Sequence, residues 1–491
     1  MGSGRTGTRP LLCAGEEGVP AVRLSLETLD SLSPAVARPG YDFARQRAGI
    51  VHFGIGAFHR AHQAVYTDDA MAAGDGDWRI IGVSLRSADV AEQLNPQDGL
   101  FTLTERSSDR TATRLIGSVA KVIVAPQDPQ AVIEAIASPD THIISFTVTE
   151  KGYVRSPDGS LDRANRAIVS DASAAGPPQT IYGFVAAGLA RRKAAGLPGL
   201  TLLSCDNLAD NGARLARLMS DYLTDTDPAL AEWFARTCRC PGTMIDRIVP
   251  AVTDADRQRV AASIGLDDRG AVITEPFSQW VIEDDFAGPR PRWETVGAQL
   301  VPNVGHYEAA KLRMLNGAHS ALAYLGLARG HEFVHQAIAD PELAGLIETL
   351  MRSEAAPTLP PDSGIDLGAY ADALIARFAN SALAHRLIQI AMDGSQKIPQ
   401  RWLEPLAINQ QAGRSTPATL QALAAWIQHV SGAARPVDDP MAAQLADLWA
   451  SHGADGIAAA LFGTGGVFQA SWTPSAASAQ ALQAHLDAAR N

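Results

Sequence analysis

Cysteine, long apolar runs and positive charge are all scarce in this sequence, and each scarcity excludes a class of protein. Four cysteines in 491 residues are too few for a disulfide scaffold, and Cys238 and Cys240 lack the second pair that a zinc site needs. This usage predicts a reducing, cytoplasmic location and no metal site. The net charge of −12 argues against a nucleic-acid partner. Without any run of about eighteen apolar residues, the chain is expected to have no membrane span.

The length and the hydrophobic fraction of 46% predict two or three domains with sizeable cores. Residues 1–22 lack the apolar stretch of a signal peptide and are expected to form a disordered tail. Residues 23–295 show strand and helix signals in alternation. Residues 296–491 are rich in Ala and Leu with helical periodicity, so the boundary is predicted between residues 286 and 305.

Short apolar runs alternate with helical stretches through the first part of the chain. We predict strands at residues 50–54, 78–84, 101–104, 115–124, 142–148 and 199–205, and helices at residues 57–73, 129–137 and 181–195. This alternation is typical of a doubly wound parallel sheet. The predicted fold class is therefore α/β, with a Rossmann-like parallel sheet followed by a mostly α-helical C-terminal domain.

The first predicted strand ends in a glycine turn that contains Gly54, Gly56 and Phe58. Two glycines after a strand allow backbone amides to approach a pyrophosphate at a helix N-terminus. His59 stands where the third glycine of the dinucleotide-binding pattern is expected, and Arg60 could add positive charge. A tight turn without a ligand is the alternative interpretation.

Residues after the second strand bear on which dinucleotide binds. A carboxylate there binds the adenosine ribose hydroxyls of NAD, whereas an arginine favours the 2′-phosphate of NADP. Asp89 therefore supports NAD, which we favour, while Arg86 leaves NADP open.

Two polar clusters follow later strands, at the edge of the sheet where such folds bind ligands. The first contains Thr149 and Glu150, and the second contains Asp206 and Asn207. An N-cap of the next helix is the structural alternative for Asn207, and the two roles do not exclude each other.

The run from Lys311 to His319 places ionisable groups on an apolar helix face. At roughly 100° per residue, Lys311, Asn316 and His319 share one arc with leucines 312, 315 and 322. Burial disfavours the ammonium form, so the pKa of Lys311 should fall and leave free amine able to accept a proton. A lysine that extends its amine to solvent, beside a core His and Asn, is the alternative.

Six ordered motifs between about residues 45 and 465 together resemble the mannitol dehydrogenase family of metal-independent polyol and uronate oxidoreductases. They are GIGAFHRAH at residues 54–62, TVTEKGY at 147–153, SCDN at 204–207, DRIVP at 246–250, EPFSQWVIED at 275–284, and Lys311-x4-Asn316-x2-His319.

The resemblance implies a role for each matching residue. Lys311 would be the catalytic base, with the Asn207 and Asn316 amides holding the substrate oxygen and His319 orienting the substrate. Asp246 and Lys397 would contact the substrate, Asp89 would bind the ribose, and Glu150 and Glu308 would relay the proton outward. The chemistry of the residues agrees, because alcohol oxidation by hydride transfer needs a proton acceptor and fixed donors at the oxygen.

The substrate is expected to be a small sugar acid or polyol. Mannitol 2-dehydrogenases of the family typically carry arginine where this chain has Gln389, and the sequence around Lys397 and Arg401 looks more like the fructuronate reductase branch. These two cations could pair with a uronate carboxylate. We therefore expect interconversion of fructuronate and mannonate, with mannitol oxidation as the alternative and a non-catalytic NAD sensor as the alternative of a different class.

Overall fold

A computed structural model describes residues 22–361, 364–382 and 384–488. The predicted tail at residues 1–22 therefore lies outside the described residues except for Val22. Across the described ranges, none of the helices combines the length and the apolar composition that crossing a bilayer requires.

The strands lie in the first 301 residues. They are β1 (Ala48–Phe53), β2 (Arg79–Ser84), β3 (Phe101–Arg106), β4 (Thr111–Ile116), β5 (Val119–Val124), β6 (Ile143–Phe146), β7 (Thr201–Ser204), β8 (Thr243–Asp246), β9 (Val272–Thr274), β10 (Gln279–Glu283) and β11 (Gln299–Val301).

The α-helices occur in both parts of the chain. They are α1 (Ala57–Ala61), α2 (Gln63–Ala72), α3 (Asp89–Leu94), α4 (Pro129–Ala137), α5 (Thr149–Gly152), α6 (Arg166–Ala172), α7 (Ile181–Ala194), α8 (Asn211–Thr226), α9 (Pro228–Thr237), α10 (Asp254–Ile264), α11 (Gly305–Ala310), α12 (Gly317–Ala328), α13 (Val334–Ala339), α14 (Pro341–Thr349), α15 (Leu367–Phe378), α16 (Leu387–Ile390), α17 (Gly394–Ile398), α18 (Glu404–Gln411), α19 (Pro417–His429), α20 (Ala442–Phe462) and α21 (Ala476–Ala488).

A five-stranded parallel sheet with the order β5-β2-β1-β6-β7 forms the centre of the N-terminal part. Its central strand β1 is buried on both faces, which explains its nearly continuous apolar run. Helices α4, α7 and α8 supply apolar residues to the core on one face, and α2 packs with Trp280 and Trp293 on the other. The predicted doubly wound fold is confirmed.

The register of the sheet brings three chain segments to one edge. Phe53 at the end of β1 pairs with Phe146 of β6, which pairs with Ser204 of β7. The glycine turn, the loop at Thr149 and the loop at Asn207 therefore leave the sheet side by side. This edge is where the predicted ligand-binding residues should meet.

Two small sheets, β11-β10-β8 and β4-β3-β9, flank the central one and differ from the prediction. The strand predicted at residues 115–124 is wrong, because it is two strands in different sheets. The chain turns at Gly117, whose amide donates to Asp68 at 2.8 Å and where a Cβ would clash with the Phe43 ring. The strand predicted at residues 101–104 is β3, which runs antiparallel to β4 instead of joining the parallel sheet.

The helix predicted at residues 57–73 breaks at His62, between α1 and α2. His62 has a non-helical backbone (φ −124°, ψ −92°), and its Nε2 donates to the Gln279 carbonyl at 2.9 Å. A buried bond to a residue 217 positions away thus interrupts a segment whose local sequence is helical throughout.

The C-terminal part is helical and packs around residues 305–328, which we call the long helix. It consists of α11, a π-helical segment at Lys311–Asn316, and α12. Fully buried Leu322, Trp402, Trp426 and Phe462 belong to its core. Strand β11 still pairs with β10, and α11 begins at Gly305, so the boundary at residues 295/296 stays a prediction.

Further π-helical and 3-10 segments complete the described elements. The π segments are Leu350–Ala355 and Pro399–Leu403, and the 3-10 segments are Leu26–Ser31, Phe43–Arg45, Asn95–Gln97, Trp293–Val296 and Ala356–Thr358.

Candidate active site

A cavity of about 630 Å³ lies between the sheet edge and the helical part. Its walls come from the loops after β6 and β7, from β8, from the long helix and from residues 393–401. The predicted site residues on these walls are Glu150, Asn207, Glu308, Lys311, Asn316, Lys397 and Arg401. Residues from the N-terminal part and from the helical part thus line the same cavity.

The Lys311 side chain is buried at the cavity wall with only 8% of its surface exposed. Its Nζ donates to Asn207 Oδ1 at 2.9 Å and to the Ile245 carbonyl at 2.6 Å. Burial lowers the pKa of Lys311 from its ordinary value, and this effect outweighs the opposing influence of Asp246. Within the predicted stripe Lys311, Leu315 and Leu322 are buried, whereas Leu312, Asn316 and His319 are half-buried.

Lys311 and Asn316 are the first and last residues of the π segment of the long helix. A π segment widens the helix and is frequent at functional sites. Both residues line the cavity, whereas in an ordinary α-helix they would lie roughly 140° apart, at the two edges of the predicted arc. A pattern analysis based on 3.6 residues per turn could not predict this widening.

The loop after β7 holds Asn207 beside Lys311 through its neighbour Asp206. The Asp206 carboxylate accepts bonds from the amides of Val148 (3.1 Å) and Thr149 (2.9 Å) and from the Tyr153 hydroxyl (2.9 Å), which ties the loops after β6 and β7 together. Asn207 is not the helix cap, because Asp210 stands at the N-cap position of α8 in a left-handed conformation. The amide of Asn207 is therefore free for the site.

Two carboxylates, Glu308 and Glu150, line the same cavity as Lys311. Glu308 lies one helical turn before Lys311, lines the cavity, and accepts a long bond from the Asp210 amide at 3.4 Å. Burial raises the pKa of Glu308 to about 7. Glu150 is exposed and lies 3.7 Å from Arg155. A group that titrates near neutrality beside the buried amine can exchange its proton with solvent.

His319 and Asp246 are not among the residues that line the cavity, so the orienting role of His319 and the substrate contact of Asp246 stay predictions. The His319 ring packs against Phe378 at 4.6 Å, and burial holds its pKa well below the ordinary value. Both Asp246 carboxylate oxygens accept bonds from Arg377, at 2.5 and 3.1 Å. Sequence could not show this, because Arg377 is 131 residues away.

Lys397 and Arg401 line the side of the cavity formed by the helical part. Lys397 Nζ donates to the Met392 carbonyl at 2.6 Å and lies 4.0 Å from Asp393. Arg401 donates to Ser320 Oγ at 2.8 Å, and within the described ranges no carboxylate lies within 4.0 Å of it. Burial lowers the pKa of Arg401 to about 10, a value at which it stays charged near neutrality.

Arg155 and Arg214 also line the cavity, and the sequence analysis missed both. Their Nε atoms are buried and have no hydrogen-bond partner in the described part of the chain. The only available signal was their position shortly after the polar clusters at Glu150 and Asn207. Cationic side chains therefore reach the cavity from both parts of the molecule.

The glycine turn fits a dinucleotide at the neighbouring strand. Gly54 has φ +96°, and a Cβ there would lie 2.0 Å from the Thr147 carbonyl oxygen, so only glycine fits. Gly56 is exposed, and a Cβ there would meet no atom nearer than 3.9 Å. The space above Gly56 is open, as the close approach of a pyrophosphate requires.

The residues beside the turn have different environments. Asp89 is exposed at the start of α3, beside exposed Arg86, where an adenosine ribose would be held. Phe58 is half-buried with its ring stacked 5.2 Å from His62, and Thr149 is exposed with φ +64°.

Arg60 and His59 lie beneath the turn. The predicted contribution of Arg60 to pyrophosphate binding is not supported, because its buried guanidinium donates to the Gly270 carbonyl and lies 5.8 Å from the Phe101 ring. His59, at the third glycine position, is buried and stacks on His52 at 3.5 Å. Both side chains serve packing below the turn.

Two family models together match nearly the whole described chain. The model described as the mannitol dehydrogenase Rossmann domain matches residues 48–295, and the model described as the mannitol dehydrogenase C-terminal domain matches residues 303–487.

Individual relatives are similar over most of their length. The D-mannonate oxidoreductase of Escherichia coli (strain K12) is 41% identical over 451 residues, which cover 90% of this chain and 92% of the relative. The mannitol 2-dehydrogenase of Phaeosphaeria nodorum is 38% identical over 86% of this chain and 77% of its own. The solved ternary complex of Pseudomonas fluorescens mannitol 2-dehydrogenase with NAD and D-mannitol has a TM-score of 0.80 and 36% identity, covering 96% of this chain and 97% of that one.

Proposed function

Because the chain belongs to the mannitol dehydrogenase family, we propose that it is an NAD-dependent secondary-alcohol dehydrogenase that interconverts D-fructuronate and D-mannonate. The observation that carries this proposal is the buried Lys311 amine, which contacts the Asn207 amide in a cavity beside the glycine turn. A non-catalytic NAD sensor would have no need of such an amine.

The side chains of the cavity have different proposed roles in alcohol oxidation. A bound NAD would supply the acceptor for the hydride of the alcohol carbon. Lys311, whose pKa is lowered by burial, accepts the hydroxyl proton as the C–H bond breaks. Asn207 and Asn316 hold the substrate oxygen and donate to the negative charge that builds on it, without titrating themselves. In reduction the protonated Lys311 returns the proton.

Glu308 is the proposed first acceptor of the proton from Lys311, with Glu150 as the outer member of the relay. Glu308 is three residues before Lys311, and its pKa of about 7 lets it hold or release a proton near neutrality. The two residues would thus remove the proton from Lys311 between turnovers.

Gly54 and Gly56 would hold the pyrophosphate, and Asp89 would bind the adenosine ribose. The open space above Gly56 and the exposed carboxylate of Asp89 support NAD. Exposed Arg86 keeps NADP as a second cofactor to be tested. The buried free thiols of Cys205 and Cys238 suit a reducing compartment, so we propose a cytoplasmic location.

Two cations on the helical side of the cavity, Lys397 and Arg401, support a sugar acid over a neutral polyol. Arg401 has no carboxylate partner among the described residues, and Lys397 has only a distant one in Asp393. A uronate carboxylate would supply the missing anion in a partly dry site. The alternative, mannitol oxidation to fructose, is favoured by the whole-length similarity to mannitol 2-dehydrogenases.

A substrate panel tests the proposal. Nicotinamide absorbance would be followed with D-fructuronate, D-mannonate, D-mannitol, D-fructose and D-arabinitol, each with NAD and with NADP in the matching redox state. We expect kcat/KM for the uronate pair to exceed that for mannitol and fructose by at least about ten-fold, with NAD preferred. A preference for mannitol would refute the uronate assignment and leave the family chemistry intact.

A further inference from the structure

A buried arginine from the helical part is bonded to two carboxylates of the N-terminal part. Arg377, on α15, donates to both oxygens of Asp246 at the end of β8. It also donates to both oxygens of Glu275, directly after β9, at 2.6 and 2.7 Å. Its guanidinium lies 4.5 Å from the Phe277 ring. All three charged side chains are buried, so one cation is shared between two anions away from water.

This cluster is adjacent to the proposed base. Asp246 follows Ile245, whose carbonyl oxygen accepts the Lys311 amine at 2.6 Å. Glu275 Oε1 accepts the backbone amide of Ile248 at 2.6 Å, so the chain just after β8 is held by the same cluster. The position of the Ile245 carbonyl relative to Lys311 therefore depends on a contact between the two parts of the molecule.

The charges around Lys311 are balanced against one another. Asp246 and Glu308 favour its ammonium form, whereas Arg377 and Arg401 disfavour it. His62, which also faces this region, is buried and stays neutral because burial lowers its pKa to about 3. Without Arg377, the buried Asp246 carboxylate would be left without its cation, and it would hold the proton on Lys311 more strongly.

We infer that Arg377 is a positioning residue for the reaction: it fixes the end of β8 against Lys311, and it neutralises Asp246 so that the amine can lose its proton. The inference rests on the proposed role of Lys311 as the base. Asp246 then acts on the proposed base through Arg377 and Lys311.

The test is the pH dependence of kcat/KM for alcohol oxidation, because this parameter reports ionisations of the free enzyme. Rate should rise with pH as Lys311 loses its proton. In Arg377→Met this rise should move to higher pH by about 1 unit. Adding Asp246→Asn to that variant should move it back toward the wild-type position. If the substitution only damages packing, kcat/KM should fall equally at every pH and the rise should keep its position. That outcome would overturn the inference.

Three further variants keep the result interpretable. Arg352→Met removes a half-buried arginine that pairs with Asp372 in the same helical part, away from the cavity, and its profile should match the wild type. If Arg377→Met does not fold, Asp246→Asn alone should shift the rise to lower pH, and an unchanged or raised position would overturn the inference. Lys311→Ala separates the two proposals. If kcat/KM still rises with pH in Lys311→Ala, the base assignment itself is refuted. If the rise needs Lys311 but keeps its position in Arg377→Met, only the positioning role is refuted.

Discussion

The proposed preference for a sugar acid rests most directly on Arg401. It faces the cavity, donates to Ser320 Oγ, and has no carboxylate within 4.0 Å among the described residues. In Arg401→Ala we expect kcat/KM for mannonate to fall by about 100-fold or more, because a charge-assisted bond to the substrate carboxylate contributes roughly 1.5–3 kcal/mol and the buried anion also loses its counter-charge.

The matched measurement uses a neutral polyol and a control arginine. The same Arg401→Ala variant should lose clearly less activity toward mannitol. Arg313→Ala removes another mostly buried arginine of the long helix, one that donates to the Thr358 carbonyl outside the cavity, and it should not discriminate between the substrates. Equal losses for mannonate and mannitol in Arg401→Ala would remove its carboxylate-binding role.

Glu308 gives a pH signature in both activity and stability. Burial raises its pKa from 4.5 to about 7, so the folded protein binds a proton that the unfolded chain releases between these values. Stability contributed by the neutral acid is therefore lost as pH rises through 7. Glu308→Gln has no titrating group at this position and should not lose this stability. From pH 5 to pH 8 the free energy of unfolding of the wild type should therefore fall by about 1 kcal/mol relative to that of Glu308→Gln, after allowance for partial exposure.

Glu308→Gln should also oxidise substrate more slowly, by about ten-fold or more at pH 8, because Lys311 loses its proton acceptor. Chemical denaturation at the two pH values and initial rates measure the two effects. Glu348→Gln, on an exposed position of α14, is the control and should change neither. A Glu308→Gln enzyme of normal rate would exclude the relay role.

Sequence predicted the position of Lys311 well but not the contacts of several other side chains. A lysine in a stripe with leucines is a local signal, and its burial follows from helix periodicity. Arg60 and Asp246 have no comparable local signal, because their partners Gly270 and Arg377 are 210 and 131 residues away. The direction of a buried charged side chain is decided by distant elements.

At the scale of elements, the turn between β1 and α1 makes the cofactor prediction testable. Gly56→Ala adds a methyl group where the structure has open space, so the midpoint of thermal unfolding should change by less than about 2 °C. The same methyl would occupy the approach to the pyrophosphate, so the Kd for NADH should rise by about ten-fold or more. Calorimetry and fluorescence titration measure the two quantities.

Gly54→Ala is the contrasting variant in the same turn. Its φ of +96° and the 2.0 Å approach to the Thr147 carbonyl oxygen predict loss of folded protein. Normal NADH affinity in a well-folded Gly56→Ala would argue against a dinucleotide on this turn.

Element prediction succeeded where the local pattern and the tertiary environment agree. Helix α4 was predicted with its observed bounds, and β2 and β7 to within a few residues. It failed at His62 and Gly117, where long-range bonds interrupt a helix and a strand, and at the π segment of the long helix. The failures at His62 and at the π segment lie next to the glycine turn or at the proposed base, where function would constrain the backbone, whereas Gly117 lies at the opposite end of the sheet against Asp68 and Phe43.

For the whole molecule, the candidate site exists only where the two parts of the chain meet. Asn207 and the Ile245 carbonyl come from the sheet edge, whereas Lys311 and Arg401 come from the helical part. No window of sequence contains these residues together, so their convergence was expected from the family resemblance and not from periodicity. The parallel topology explains only the meeting of the glycine turn with the Thr149 and Asn207 loops.

The most direct measurement is chemical rescue of Lys311→Ala by small primary amines. This variant should lose turnover by about 100-fold or more while still binding NADH, because the base is removed and the glycine turn is untouched. Added methylamine or ethylamine should enter the space left by the side chain and restore hydride transfer in proportion to the concentration of free amine. A Lys311→Ala enzyme with near-normal rate, or one that no amine rescues although it binds cofactor and substrate normally, would contradict a buried amine acting as the base.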